Sequence, residues 1–237
     1  MDLANRTIVI TGASRGLGRV LAVHFAGRAG SIVLAARDRA GLEDTAARVE
    51  SAGGSCSIGV CDLARPESIE ALVADVRARA GRIDVLINNA ANVTSKPFLD
   101  TSLDEIGAQI GTNVAGMLQL TRLVAPVMLE QGEGMVINIS SLAGYKPNTS
   151  QTVYSISKGA VNAASEALYA ELKGRGIHVM NVPLPPIGTG PGQLAPERFA
   201  HRLERAIERE ECELFLHRRS RFLMRLYRFL PFLARLR

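Results

Sequence analysis

The chain has 237 residues, 47% of them apolar and 22% charged, with a formal net charge of +5. That length suits one sizeable α/β domain, and the apolar share suffices for a full core, which excludes a disordered chain. No apolar run reaches the about 18 residues of a membrane-spanning helix, and three cysteines without metal-ligand spacing exclude a disulfide scaffold or a cysteine-bound metal.

Residues 7–10 (Thr-Ile-Val-Ile) read as a short buried strand. They run directly into Thr11-Gly12-Ala13-Ser14-Arg15-Gly16-Leu17-Gly18 and then a helical pattern from Val20 to Phe25. A strand feeding a glycine-rich turn that opens a helix is built to hold phosphate. Glycines let the backbone approach a pyrophosphate, and the helix N-terminus offers free N–H donors. Strand-like runs follow at 31–35, 56–61, 84–88, 135–140 and 178–182, with one more expected at 213–216. Between them lie helical stretches, including a long one over about 103–130 and one opening near Ala195-Pro196-Glu197. The alternation predicts a single Rossmann-like, doubly wound parallel sheet with helices on both faces.

The polar residues outside the motifs read as structural. Asp84, at the start of a strand, is expected to cap or to be solvated, and His24 and His178 to be satisfied by packing. The first strand starts a few residues after Met1, which is read as leaving no room for a signal peptide. Cys56, Cys61 and Cys212 read as reduced, mostly buried thiols of a cytoplasmic protein. No metal site is expected.

Tyr154 and Lys158 stand four residues apart in Tyr-Ser-Ile-Ser-Lys. On a helix that spacing puts both side chains on one face. A neighbouring ammonium favours the phenolate and lowers a tyrosine's pKa toward the range where proton transfer is efficient.

Taken together, these residues resemble the classical short-chain dehydrogenase/reductase (SDR) family, in order along most of the chain. The TGxxxGxG turn is residues 11–18, and the acid after the third strand, implied to face an adenine, is Asp62 in Cys61-Asp62-Leu63. The Asn-Asn-Ala-Gly motif appears as Asn88-Asn89-Ala90-Ala91, and the helical asparagine as Asn113. Ser141 precedes Tyr154 by thirteen residues, as the family spacing requires, with Ser140 as its near-isosteric competitor. The resemblance implies a catalytic set of Asn113, Ser141, Tyr154 and Lys158. Tyr154 would donate a proton, Ser141 would hold the substrate oxygen, and Lys158 would bind the nicotinamide ribose and lower the Tyr154 pKa. Asn113 would seat a water linking Lys158 to solvent. Implied cofactor contacts are Thr11, Gly12, Ser14, Arg15, Gly16, Leu17, Gly18, Arg37, Asp62, Leu63, Asn89, Ala90, Tyr154, Lys158, Pro185, Pro186, Ile187 and Thr189.

The cofactor follows from charge. Folds that prefer NAD place an acid at the end of the second strand to bond the ribose hydroxyls. Here Ala36 takes that position and Arg37 follows it, while Arg15 lies within the glycine turn. Two guanidiniums suit a 2′-phosphate, so NADP(H) is expected over NAD(H), although Asp38 would favour NAD(H) if the register shifted. The predicted activity is hydride transfer between nicotinamide and a ketone or secondary alcohol. The alternative is a nucleotide-binding sensor or scaffold of the same fold. Thr121 and Arg122 sit on the 103–130 helix, whose outward faces make subunit contacts in this family, so a homodimer or homotetramer is expected.

Two departures individualise the chain. Ala91 replaces the family's glycine, and Pro183-Leu184-Pro185-Pro186-Ile187-Gly188-Thr189 replaces its Pro-Gly loop, losing a backbone donor at Pro186. Only residues 190–194 stand where relatives carry a helical flap, which suits either a bulky, acyl or carrier-borne substrate or a merely trimmed loop. Residues 1–216 form the expected domain, and 217–237 a basic amphipathic tail holding seven arginines and no acid. The tail suits a lid or subunit contact, an anionic membrane surface, or an acidic carrier protein. No motif supports nucleic acid.

Overall fold

The computed structural model describes residues 1–188, 193–215 and 222. Expectations resting on Thr189 and on the tail as a unit lie outside these residues. Six parallel strands form one sheet in the order β3-β2-β1-β4-β5-β6. They are β1 (Thr7–Thr11), β2 (Ser31–Ala36), β3 (Cys56–Val60), β4 (Val85–Asn88), β5 (Gly134–Ser141) and β6 (Ile177–Leu184). Strand alternation splits the core in two. Ile8, Ile10, Ile32 and Leu34 point to one face, where they meet Leu21 and Phe25 of α1 (Gly16–Phe25), Leu42 and Val49 of α2 (Arg39–Ser51), and a third helix from the C-terminal part of the chain. Val9, Val33 and Val136 point to the other face. There they meet Ile69 and Leu72 of α3 (Pro66–Ala80), and Leu120 and Val124 of a helix that precedes β5. The order in which strands are added switches sides between β1 and β4, which opens a crevice at their C-terminal ends.

The expected long helix at 103–130 has a defect at its centre. It runs as α4 (Leu103–Ile110), a π-helical stretch over Gly111–Gly116, and α5 (Met117–Gln131). A capping box fixes the start of α4, with Ser102 accepting from Glu105 N–H and Glu105 accepting from Ser102 N–H. The π stretch carries Asn113, and π-bulges commonly mark functional positions. Thr121 does not lie on an outward face. It is buried, accepts from Asn88 Nδ2 at 3.0 Å and donates to the Met117 carbonyl at 2.8 Å, so a subunit contact through it is excluded; Arg122 is exposed.

After β5 come α6 (Thr152–Leu172) and, beyond β6, α7 (Pro196–Glu208). Phe199, Ala200, Leu203, Ala206 and Ile207 form a helical stripe on α7 that completes the first core face. The seventh strand expected at 213–216 shrinks, among the described residues, to a single parallel bridge between Asn181 and Glu213. Cys61 is buried and Cys56 partly so, but Cys212 is exposed, against the expectation of mostly buried thiols. No helix among the described residues is long and apolar enough to cross a membrane.

Asp84 is neither a cap nor solvated. It is fully buried just before β4, accepting from Arg82 at 2.8 and 2.6 Å, Arg6 at 3.0 Å and Thr7 N–H at 2.8 Å. Burial works to raise this carboxyl, but the bonds from Arg82, Thr7 and Arg6 outweigh it and hold it below the usual range. Its stabilisation is therefore present at neutral pH and lost as pH falls through the depressed value. Removing it strips Arg82 of its carboxylate, leaves Arg6 to Glu133 alone and takes away the acceptor of the Thr7 N–H. Asp84→Ala is expected to lower stability by about 3 kcal/mol in urea unfolding, and a change under 1 kcal/mol would show the cluster to be ornamental.

Candidate active site

The site forms where the C-terminal ends of β1, β4 and β5 meet the start of α6. Thr11 ties the first two ends together, its hydroxyl accepting from the N–H groups of Asn89 and Ala90 at 3.0 Å each. Asn89 Nδ2 donates back to the Thr11 carbonyl at 2.8 Å. Beside this knot lies a cavity of about 410 Å³ lined by the glycine turn, the ends of β2 and β3, Asn89–Asn92 and Thr112. Thr11, Gly12, Ser14, Arg15, Gly16, Arg37, Asp62, Leu63, Asn89 and Ala90 all line it. Gly18 does not; it packs beneath the turn, where a Cβ would stand 2.3 Å from the Gly12 carbonyl oxygen.

The chain's own geometry fits a dinucleotide here. Gly12 and Gly16 take φ of 67° and 56°; a Cβ at Gly16 would meet nothing within 4 Å, so the turn is open there, whereas at Gly12 it would meet Ala90 Cα at 2.9 Å. No side chain caps α1, which leaves first-turn N–H groups available to an anion. Arg15 and Arg37 are exposed on the same cavity. Asp38, the residue that would have favoured a ribose, lines the cavity too, with its side chain capping α2 by accepting from Gly41 N–H at 3.1 Å. Ala91 has no positive φ, so alanine replaces the family's glycine without backbone strain.

A second cavity of about 580 Å³ adjoins the first, sharing Asn89 and Ala91. Its walls include Leu17, Val93, Leu142, Leu184, Pro185, Pro186 and Ile187, and it also takes in Ser141, Tyr154 and Lys158. Lys146, Asn148 and Gln151 line it as well, none of them marked by a motif in the sequence. Gly144 explains the close approach of the loop after β5 to α6, since a Cβ there would meet the Lys158 backbone at 2.6 Å. Ser140 and Ser141 separate cleanly. Both border the cavity, but Ser140 is buried and donates to the Lys158 carbonyl at 3.0 Å, whereas Ser141 shares a side-chain hydrogen bond with Tyr154.

Electrostatics in the chain itself differ from the expectation. Burial pushes the Tyr154 phenol above its ordinary value, and the Ser141 contact only partly opposes this. Lys158 does not lower it: the ammonium donates to the Ile139 carbonyl at 2.7 Å and sits 5.8 Å from the Tyr154 ring centroid. Lys158 is itself 3% exposed, and burial lowers its pKa to about 8.

Asn113 lines neither cavity. It lies one layer beneath, accepting from Asn92 N–H at 2.7 Å and donating to the Asn92 carbonyl at 2.8 Å and to Ser157 Oγ at 3.0 Å. Both amide hydrogens are thus spent on protein. The side chain clamps the Asn89–Asn92 wall to α6.

The short chain dehydrogenase family model matches residues 6–197. The chain belongs to the short-chain dehydrogenase family. This SDR is 38% identical over 177 residues to the ketoacyl reductase HetN of Nostoc, a match covering 75% of this chain and 62% of that protein's length. It is also similar to a solved short-chain dehydrogenase from Sphingobium yanoikuyae in complex with NADPH, at 29% identity and a TM-score of 0.85, covering 97% of this SDR and 95% of that chain. An NAD+-bound xylitol dehydrogenase superposes with a TM-score of 0.76 at 28% identity over 80% of this SDR and 74% of that chain. Family membership gives the chain the nicotinamide-binding fold of this oxidoreductase family.

Proposed function

We propose that this SDR is an NADP(H)-dependent ketoreductase or secondary-alcohol dehydrogenase acting on a hydrophobic, acyl or carrier-borne substrate. The observation that carries the reading is the convergence of Ser141, Tyr154 and Lys158 in an apolar cavity that opens beside an arginine-lined dinucleotide cradle. An intact set of this kind favours turnover over a sensor or scaffold. The HetN resemblance favours an acyl substrate.

When bound, the nicotinamide supplies or accepts the hydride. The protein's part is to place and protonate the substrate oxygen. Ser141 Oγ holds that oxygen and Tyr154 donates its phenolic proton to it as negative charge develops. A donor so placed is commonly worth about 3–4 kcal/mol of barrier. Lys158 holds its charge in the floor of the site, next to the backbone of Ile139, and would bond the ribose hydroxyls. Leu142, Leu184 and Ile187 exclude water from the reacting carbon and seat an apolar chain. Asn113 holds Asn92 and Ser157 in register around these groups.

Fluorescence titration with NADPH and NADH tests the cofactor assignment. NADPH is expected to bind at least about tenfold more tightly, an advantage reduced about tenfold in Arg37→Ala, as for a charge-assisted hydrogen bond. NADH binding should not change in that variant. Equal affinities for the two dinucleotides in the unaltered protein would refute the phosphate clamp. No binding of either would move the scaffold reading ahead.

A further inference from the structure

We propose that His24, His201 and Glu204 form a site for a divalent cation of the zinc type, which staples α7 to α1. His24 lies in the last turn of α1, while His201 and Glu204 are one turn apart on α7, so their side chains share a face. His24 Nε2 and Glu204 Oε2 are 2.9 Å apart, His201 Nδ1 and the same oxygen 4.0 Å, and all three ligand atoms lie within 4.8 Å of one another. Tetrahedral zinc, with bonds of about 2.0–2.1 Å, holds its ligand atoms roughly 3.4 Å apart. The observed separations bracket that value.

The donor set matches the ion. Two imidazoles and one carboxylate suit zinc, whereas magnesium and calcium prefer oxygen ligands throughout. Arg28 Nε forms an ion pair with the other carboxylate oxygen, Glu204 Oε1, at 3.1 Å, while Oε2 is the oxygen nearest the imidazoles. The His24 ring is in turn held edge-on by Phe25 at 5.2 Å. His24 and Glu204 are anchored in the helix–helix packing, with side chains 8% and 19% exposed, while His201 is 59% exposed. The exposed ligand gives the ion a path in and leaves a fourth position to water. None of the three residues lines the dinucleotide or substrate cavity, so the role is mechanical. Pro196, which opens α7, follows closely on Leu194, whose backbone pairs with Ile187 of the substrate wall. A cation there tethers that wall to the dinucleotide helix. Residue order carries no sign of it, because His24 lies far from α7 in the chain and only the fold brings it there.

The test uses tag-free, full-length protein stripped with chelator, then titrated with ZnCl₂ by calorimetry and thermal melting. One equivalent is expected to bind. At a zinc concentration 100 times Kd the melting temperature should rise by about 5–10 °C, and MgCl₂ should do nothing. His201→Ala, at an exposed position the fold tolerates, should weaken binding at least about tenfold, as should Glu204→Gln. His178→Ala should leave binding unchanged. Absence of zinc binding to the unaltered protein, or undiminished binding to His201→Ala, would overturn the proposal.

Discussion

Tyr154→Phe is expected to lose about 10²–10⁴-fold in turnover, the usual contribution of a positioned general acid, while binding the dinucleotide within about twofold of the unaltered protein. The substitution keeps the ring and its 5.8 Å relation to Lys158 and removes only the hydroxyl that bonds Ser141. Because burial raises the phenol above its ordinary value, the proton is in place at neutral pH, as carbonyl reduction requires. Alcohol oxidation needs the phenolate and should gain rate with rising pH where reduction does not. Single-turnover reduction of a panel of ketones, alongside a nucleotide titration, separates the two effects. Turnover within tenfold of the unaltered protein would remove Tyr154 from the proposed chemistry.

Lys158→Met should stabilise the protein and silence it. An ammonium that is 3% exposed and titrates near 8 instead of 10.5 destabilises the folded state by about 3 kcal/mol at neutral pH. The folded state binds this proton less tightly than the unfolded state does. Stability contributed by this group therefore rises as pH climbs from about 8 toward 10.5, and the penalty is complete below 8. Methionine fits the same channel without charge. It gives up the bond to the Ile139 carbonyl, worth about 1 kcal/mol, so the net gain is about 2 kcal/mol, or roughly 5 °C in melting temperature. Reduction should fall at least about 100-fold. The unaltered protein should also bind cofactor more weakly as pH rises through about 8, a dependence absent from the variant. A variant less stable than its parent at pH 7 would show that the buried charge is compensated, contrary to the geometry described here.

Strands buried on both faces read as continuous β-branched runs, and the glycine turn sits directly after the first of them. The sheet, the cradle and the Ser141–Tyr154–Lys158 set were therefore legible from residue order. Side-chain direction was not. The spacing of Tyr154 and Lys158 places them on one face of α6, yet the ammonium reaches away to the carbonyl of Ile139, a strand residue whose nearness depends on packing. Asp84 illustrates the same limit. A charged residue at the head of a strand reads as solvated until Arg6, from a distant part of the chain, and Arg82 are seen to close over it. The π stretch at Gly111–Gly116 lies between two segments that each read as helical, so the 103–130 segment reads as unbroken. The single bridge at Glu213 was over-read as a strand because a short mixed run carries no signal for how many of its residues will find partners.

The pairing of Ile187 with Leu194 has a consequence for diversification. Gly188 N–H donates to the Leu194 carbonyl at 3.1 Å, and Leu194 N–H donates to the Pro186 carbonyl at 3.2 Å. The two ends of the intervening segment are thus fastened to each other, independently of its length. In a segment closed at its base, each doubling of length adds only about 0.6 kcal/mol of closure entropy. The junction is therefore a natural graft point. Segments of different size and chemistry, exchanged between these two anchors, should alter what adjoins the Pro186–Ile187 wall of the apolar cavity while leaving the sheet and the proton-donating groups where they are.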